Sequence, residues 1–424
     1  MSASRRTLSL VTTAALAAVV LACDGGHDSA PSTTTATTIT TVPVTIDDTP
    51  RPDGVLSIGL LVPTSGTGAN IGQALVDGAS RAINEVNAAG GVAGAQIEVV
   101  PADEGETTAQ ANAAIEALVD AGVDAVIGPV SSATALATLD QLVGDEVVTC
   151  SPTASAISLD TFPNRDLFVR TAPSDTLQAV GLATLAEQTG RRSVAVVWVD
   201  DAYGRPFARA IDEALRARPS MEVTAEVSFP SSGETGPALD ELIAAEPGVV
   251  IVAAGTDLGW NLLSAYDAAL RANPDLARPD IIVNDGMRVP PSSGVVAALA
   301  PDFRASIQGL SPMAFYTADP IQPFFANAYD CAMLIALAAI QVGPDDHRAM
   351  AGAISATSTD GASCITFDEC RQVLAESLDV DYDGLSDFAI EIATDGDPAR
   401  ARYDQFRYDD AGVDMTERTI TVNR

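Results

Sequence analysis

From Val55 onward, short β-rich apolar runs alternate with stretches of helical periodicity, and that alternation confines the chain to an α/β architecture. The first run, Val55-Leu-Ser-Ile-Gly-Leu-Leu-Val62, is followed by a helix near Gly72 to Ala88 on which Ala74, Ala79, Ile83 and Val86 recur near helical spacing; Gly90 and Gly91 close it. Ile97-Glu-Val-Val100, a helix near Thr107 to Ala121, Asp124-Ala-Val-Ile127, a helix near Ser132 to Val143, and Val147-Val-Thr-Cys150 complete a first set. Strands this short, separated by helices, predict a parallel sheet with right-handed crossovers and helices on both faces. The pattern starts afresh after Arg170. A helix near Thr176 to Gln188 precedes strands at Ser193 to Val199, Glu222 to Phe229, Val249 to Ala253 and Asp280 to Val283, with helices near Phe207 to Arg216, Pro237 to Ala245 and Leu258 to Arg271. A long apolar helix near Gln322 to Val342, the segment Phe367 to Leu378 and β-like pieces such as Thr419-Ile-Thr-Val422 end the chain. Gln322, Asn327, Asp330 and Cys331 interrupt the approach to that helix, so it reads as a core helix and not a membrane span. Two α/β sets with a returning tail predict two Rossmann-like lobes joined by several chain crossings, with a ligand cleft beyond the carboxyl ends of the strands.

Ahead of the globular part, Arg5 and Arg6 precede an apolar stretch from Leu8 to Ala22 broken only by Ser9, Thr12 and Thr13. That is a signal peptide over residues 1–22, too short to span a bilayer comfortably. Val20-Leu21-Ala22-Cys23 resembles the bacterial lipobox, although Val20 and Leu21 depart from its usual residues. The resemblance implies a diacylglycerol on Cys23 and a lipid-anchored protein on the extracytoplasmic face of the cell membrane. Residues 23–53 are rich in Thr, Ser, Pro and Asp and cannot bury a core; a flexible tether of that length reaches on the order of 30 Å.

Charge and residue usage remove several function classes. With 57 acidic and 23 basic residues the chain carries a formal charge of -34, which repels nucleic acid and anionic surfaces. Every basic residue is Arg, so neither a P-loop lysine nor a Schiff-base lysine exists. The two His are His27 in the tether and His347 in a loop-like run, and no GxSxG elbow accompanies either. No CxxC or HExxH pattern supports a metal centre, and no cofactor is expected. Asp379-Val-Asp381-Tyr-Asp383-Gly384 resembles the start of an EF-hand, but position twelve is Ile390, without the bidentate acid. In an exported chain, Cys364 and Cys370 read as a short disulfide loop, and Cys150 with Cys331 is the remainder of that choice among three pairings.

The strand-end loops carry a family resemblance. Pro63-Thr-Ser-Gly66, Asn84-Glu-Val-Asn-Ala-Ala-Gly-Gly91, Ile127-Gly-Pro-Val-Ser-Ser132, Ser151-Pro-Thr-Ala-Ser155, Asp201-Ala-Tyr-Gly204 and Asp381-Tyr-Asp-Gly384, in this order and spacing, are similar to the branched-chain amino-acid binding family of ABC importers, which has the type I periplasmic binding-protein (Venus-flytrap) fold. The resemblance implies an N-terminal lobe from 54–171 plus about 308–365 and a C-terminal lobe from 172–307 plus about 366–424. It implies a non-enzymatic, monomeric receptor that closes on a small amino-acid-like ligand and hands it to a membrane permease. A sensor of the same fold, binding an amide or carboxylate without transport, is the alternative, and an exported hydrolase using Asp200, Asp201 or Asp285 a second rival.

By the same resemblance, Ser132, or Ser131 one residue earlier, meets the ligand carboxylate together with backbone N–H groups. Thr153 offers its carbonyl and Ser155 its hydroxyl to the ammonium, with Ala154 kept small for close backbone approach. Tyr203 covers the ligand from the second lobe, and Asp285 pairs with the ammonium. Ile71 faces the ligand side chain, and Ala254-Gly-Thr256 stands where relatives carry a second aromatic, which puts Thr256 at the pocket.

Overall fold

β1 (Ser57–Val62) is buried along nearly its whole length, as a strand walled by helices on both faces must be. The computed structural model describes residues 53–163, 165–288, 293–312, 322, 324–376 and 378–424, so the signal sequence, Cys23 and nearly all of the tether lie outside the described residues. With β2 (Glu98–Asp103), β3 (Ala125–Ile127), β4 (Val148–Ser151) and β5 (Phe168–Arg170), β1 forms a parallel sheet in the order β2-β1-β3-β4-β5. The crossovers between β1 and β4 carry α1 (Ala69–Ala88), α2 (Thr108–Asp120) and α3 (Ser132–Gly144). Gly72 lets α1 start close to the first strand-end loop, since a Cβ there would stand 1.8 Å from the Pro63 carbonyl oxygen.

The second sheet begins after α4 (Asp175–Gln188). Its elements are β6 (Ser193–Val199), α5 (Gly204–Arg216), β7 (Glu222–Phe229), α6 (Gly236–Ala245), β8 (Val249–Ala253), α7 (Thr256–Ala272), β9 (Asp280–Val283), α8 (Ser293–Ala297), α9 (Pro301–Ala305) and β10 (Ile307–Pro312). The chain then gives α10 (Phe325–Val342), α11 (His347–Thr357), β11 (Ala362–Cys364), α12 (Phe367–Ala375) and β12 (Val380–Tyr382), the last strand pairing with β11. β13 (Arg400–Tyr408) and β14 (Asp414–Asn423) return antiparallel to close the second sheet in the order β14-β13-β10-β9-β8-β6-β7.

α10 is 83% buried, which accounts for its apolar composition without a bilayer. It packs with α1 and the first sheet in one core, and Phe367, Cys370, Val380, Tyr382, Ile390 and Ile392 join that core too. The expected boundaries near 308 and 366 therefore shift. β10 belongs to the second sheet, and the chain rejoins that sheet only at β13, because the apolar side chains of α12 and of the stretch after it are spent on the first core. Two disulfides brace this arrangement: Cys150–Cys331 ties β4 to α10 with Cα atoms 5.7 Å apart, and Cys364–Cys370 closes its short loop at 5.2 Å.

The crossings between the sheets are tied to one another. Thr171, just after β5, donates its hydroxyl to the Asn327 carbonyl at 2.9 Å, and the Asn327 amide donates back to the Thr171 carbonyl at 2.9 Å. The Arg170 backbone N–H meets the Gly396 carbonyl at 2.9 Å, and its buried guanidinium meets Asp397 at 2.8 Å. Burial would raise the Asp397 carboxyl, but Arg170 and Arg165 hold it below the usual carboxylate range.

Candidate functional site

The candidate residues sit where strands end. After β1, Asp103 gathers the Ser65 hydroxyl at 2.7 Å, the Thr64 N–H at 2.9 Å and the Gly105 N–H at 3.0 Å, and these donors hold its carboxyl down to about 2. After β3, Ser131 has extended backbone angles and caps α3, accepting the Thr134 N–H at 3.0 Å. Ser132, one residue later, instead accepts the Ala156 N–H at 3.2 Å, so the two adjacent serines do different work. The N–H groups of Val130 and Ser131 both reach Glu104, at 2.8 and 3.2 Å. A buried carboxylate of the chain itself thus takes two of the backbone donors that the resemblance turns toward a ligand, and burial pushes that carboxyl up against their pull.

The loop after β4 is stitched to the same place. Ser151 donates to the Pro129 carbonyl at 2.6 Å and Thr153 to the Val130 carbonyl at 2.6 Å. Ala154 is fully buried, and its carbonyl accepts from Arg170 at 3.2 Å. Ser155 accepts the Asp175 N–H at 2.8 Å, which joins this first-lobe loop to the first turn of α4. Ile71, Ser131 and Thr153 share the wall of a cavity of about 400 Å³, together with Glu104 and Glu106.

On the second sheet, Asp201 accepts the N–H groups of Tyr203 at 2.9 Å and Gly204 at 2.7 Å and so sets the entry angle of α5. A side chain at Gly204 would strike the Val199 carbonyl oxygen at 2.1 Å, so the turn that presents Tyr203 needs glycine there. Asn284 is the node: its amide nitrogen donates to the Tyr203 hydroxyl at 3.3 Å and approaches Asp285 at 3.4 Å, while its oxygen accepts the Ala254 N–H at 3.2 Å. Thr256 donates to the Gly286 carbonyl at 2.6 Å, pinning α7 to the turn that carries Asp285. Burial raises the Asp285 carboxyl, partly offset by the Gln178 side chain and the Gly286 N–H. Burial, with Asp175 and Asp285 nearby, raises the Tyr203 phenol well above its ordinary value.

The structure therefore gathers Ile71, Ser131 and Thr153 on one wall, and Tyr203, Asp285 and Thr256 on the other sheet. Ser132, Ala154 and Ser155 are placed between loops on the first. Sequence reasoning missed Asn284 and Glu104. Asn284 is hidden inside an Asn-Asp-Gly turn, and Glu104 follows an exposed strand with nothing local to mark it.

Chemically, the site holds hydroxyls, amides and carboxylates. His347 is remote from it: Nε2 meets Asp124 at 3.1 Å, just before β3, at the opposite end of the first sheet from the strand-end loops. Among the described residues, no three His, Cys, Asp or Glu side chains gather to hold a metal ion.

Residues 55–375 match the family described as periplasmic binding protein. The chemotactic signal transduction system substrate-binding protein BasB of Halobacterium salinarum is 25% identical over 360 residues, covering 78% of this chain and 82% of that one. The Leu/Ile/Val-binding protein BraC3 of Rhizobium johnstonii is 27% identical over 310 residues, covering 70% and 83%. Among solved structures, the branched-chain amino acid transporter substrate binding protein LivJ of Streptococcus pneumoniae, in complex with isoleucine, superposes with a TM-score of 0.65 at 20% identity over 87% of this chain and 100% of that one. A solute binding protein of an ABC transporter from Rhodopseudomonas palustris, in complex with p-hydroxybenzoic acid, gives 0.67 at 16% identity over 87% and 98%. The fold is that of the type I periplasmic binding proteins.

Proposed function

The chain belongs to the periplasmic binding protein family, and from that premise we propose that it is an extracytoplasmic receptor that closes its two lobes on a small amino-acid-like ligand and delivers it to an ABC permease. The observation that carries this reading is the Asn284 node, which holds Tyr203 and Asp285 together at the carboxyl ends of the second sheet. A carboxylate fixed beside a phenol in a half-buried turn suits an ammonium, to which it offers a charge-assisted bond. On the first lobe, Ser132 and Ser155 supply hydroxyls, Thr153 a carbonyl and Ile71 an apolar wall, and Thr256 completes the second-lobe side. Closure needs no chemistry: a ligand touching both lobes favours the closed state by its differential affinity for it. On this reading the protein binds its ligand and releases it unchanged, as a member of a solute-binding family would.

Asp285→Ala should weaken the ligand about tenfold or more, the scale of a lost hydrogen bond to a charged group. Calorimetry showing unchanged affinity would remove Asp285 from the site. For location, the proposal is a signal peptide over 1–22, a lipid on Cys23 and a tether to residue 53, with a monomeric receptor beyond. Cys23→Ser should then move the protein from the membrane to the soluble fraction without changing what it binds. The similarity to BasB supports a second reading, a sensor that reports its ligand to a signalling partner. Uptake of radiolabelled ligand by cells with and without the gene separates the two, since a sensor leaves uptake unchanged.

A further inference from the structure

Where the chain returns to the second sheet, near Pro398, it runs past an ion pair that the candidate ligand site does not use. Asp387 belongs to the first lobe. The turn before it is fastened to α10, where Asp330 accepts the Leu385 N–H at 2.7 Å and the Ser386 N–H at 2.8 Å, and Ile390 just after it lies in the first core. Its partners belong to the second lobe. Arg400 and Arg402 stand on β13, paired with β14; the Arg400 guanidinium lies 3.5 Å from Asp387 Oδ1, and Arg402 donates to the Asp387 backbone carbonyl at 3.1 Å. Charge thus spans the two lobes beside the chain that crosses between them.

The pair is charged but not closed. Asp387 Oδ1 and Arg400 Nε are buried atoms without a hydrogen-bond partner, and 3.5 Å is longer than an ordinary N–H···O bond. Both residues line a cavity of about 20 Å³, the scale of a single water, whose wall also takes Pro173, Pro312 and Pro398 from the three crossings. The pair therefore sits where the crossings converge, with room for the guanidinium to shift without displacing packed atoms.

Around the Asp387 carboxyl stand Arg400, Arg402 and Tyr403 of β13 and Asp330 of α10. Burial raises it to about 6; the two guanidiniums oppose that and Asp330 adds to it. A charged carboxylate here draws Arg400 strongly, because little water screens the pair. A protonated one does not. Phe388, next in the chain, holds a left-handed backbone at φ 58° and carries the Arg402 guanidinium 5.8 Å over its ring, which sets the turn to one geometry.

We infer that Asp387 and Arg400 form a proton-operated latch at the hinge: the charged carboxylate holds β13 against the first-lobe turn and narrows the range of lobe angles, and protonation widens it. Capture and release then depend on pH through the hinge and not through the ligand's own contacts. The inference rests on the two-lobe closure proposed above and is independent of which ligand is bound.

The test is the distance between nitroxides carried on p-acetylphenylalanine in place of the exposed Glu116 of α2 and Glu241 of α6, in the ligand-free mature chain. The parent's distance distribution should widen as pH falls from about 7.5 to about 5, with its midpoint near the Asp387 value. Asp387→Asn should give the wide distribution at both ends of that range, and Arg400→Gln should give it already at the upper end. If Asp387→Asn does not fold, Arg400→Gln, at a side chain 30% exposed, carries the test. A broad distribution indifferent to pH and to both variants, or an Asp387→Asn profile that still follows the parent's, would overturn the latch and leave lobe motion standing. One narrow distance throughout would overturn the latch and count against the closure it rests on.

Discussion

Glu104 accepts the backbone N–H of Ser131 at 3.2 Å, and its other oxygen accepts that of Val130 at 2.8 Å, so one buried side chain fixes the loop that leads into α3. Glu104→Gln replaces one acceptor oxygen with an NH₂ group that faces a donor. It should cost about 1–3 kcal/mol of stability, the desolvation cost of a buried polar group left unsatisfied. A urea denaturation midpoint unchanged from the parent would show that the loop is held by its other contacts.

Ser131 and Ser132 should separate cleanly by mutation. Ser131→Ala removes the α3 cap and should lower stability by about 0.5–2 kcal/mol with affinity nearly unchanged. Ser132→Ala should weaken ligand with a smaller effect on the melting temperature. The reverse pattern, read by paired calorimetry and thermal melts, would exchange their roles.

His347 places both ring nitrogens against acceptors, Nδ1 on the Glu146 carbonyl at 2.8 Å and Nε2 on Asp124 at 3.1 Å. Only the imidazolium donates from both, and the Asp124 hydrogen bond raises the His347 pKa, with burial opposing. The folded pKa lies above the unfolded one, so this stabilisation is fully present below about pH 6.5 and is lost as pH rises through the folded value. Denaturation curves of His347→Gln should show a shallower loss of stability than the parent as pH rises from about 6.5; parallel profiles would refute this.

The disulfides should differ in worth. Cys150 and Cys331 are separated by 181 residues and Cys364 and Cys370 by 6, and a longer closed loop removes more entropy from the unfolded chain. Cys150→Ser with Cys331→Ser should cost about 2–5 kcal/mol, more than the Cys364→Ser and Cys370→Ser pair. Equal midpoint shifts in guanidinium would count against the entropic account.

The alternation of β1 to β4 with α1 to α3 was readable because β1 and β3 are near-continuous apolar runs and short β-branched pieces such as Val99-Val100 and Val147-Val148 fall between helical stretches. β5 was not: Phe168, Val169 and Arg170 are too few to show a period, and the buried Arg170 reads as a surface residue until Asp397 is placed beside it. β13 was hidden likewise, since Arg400-Ala-Arg-Tyr-Asp-Gln-Phe-Arg-Tyr408 mixes charge with aromatics, and the buried Asp404 finds a partner in Arg288, far away in sequence. The strand-end loops carried the resemblance from which the ligand residues were expected. They did not reveal which serine would cap α3, since neighbouring serines differ there only in backbone angle. Asn284 matters through partners far away in sequence, Tyr203 and Ala254.

The ties at Thr171–Asn327 and Arg170–Asp397 bear on how motion is transmitted. Because the crossings are fastened to one another, the closure proposed above should bend them together, like a gate on a single pin and not a ball in a socket. Opening is then described by one angle. A single spin-label distance across the cleft would track the whole cycle, and a signal with more than one moving component would locate where the fastening yields.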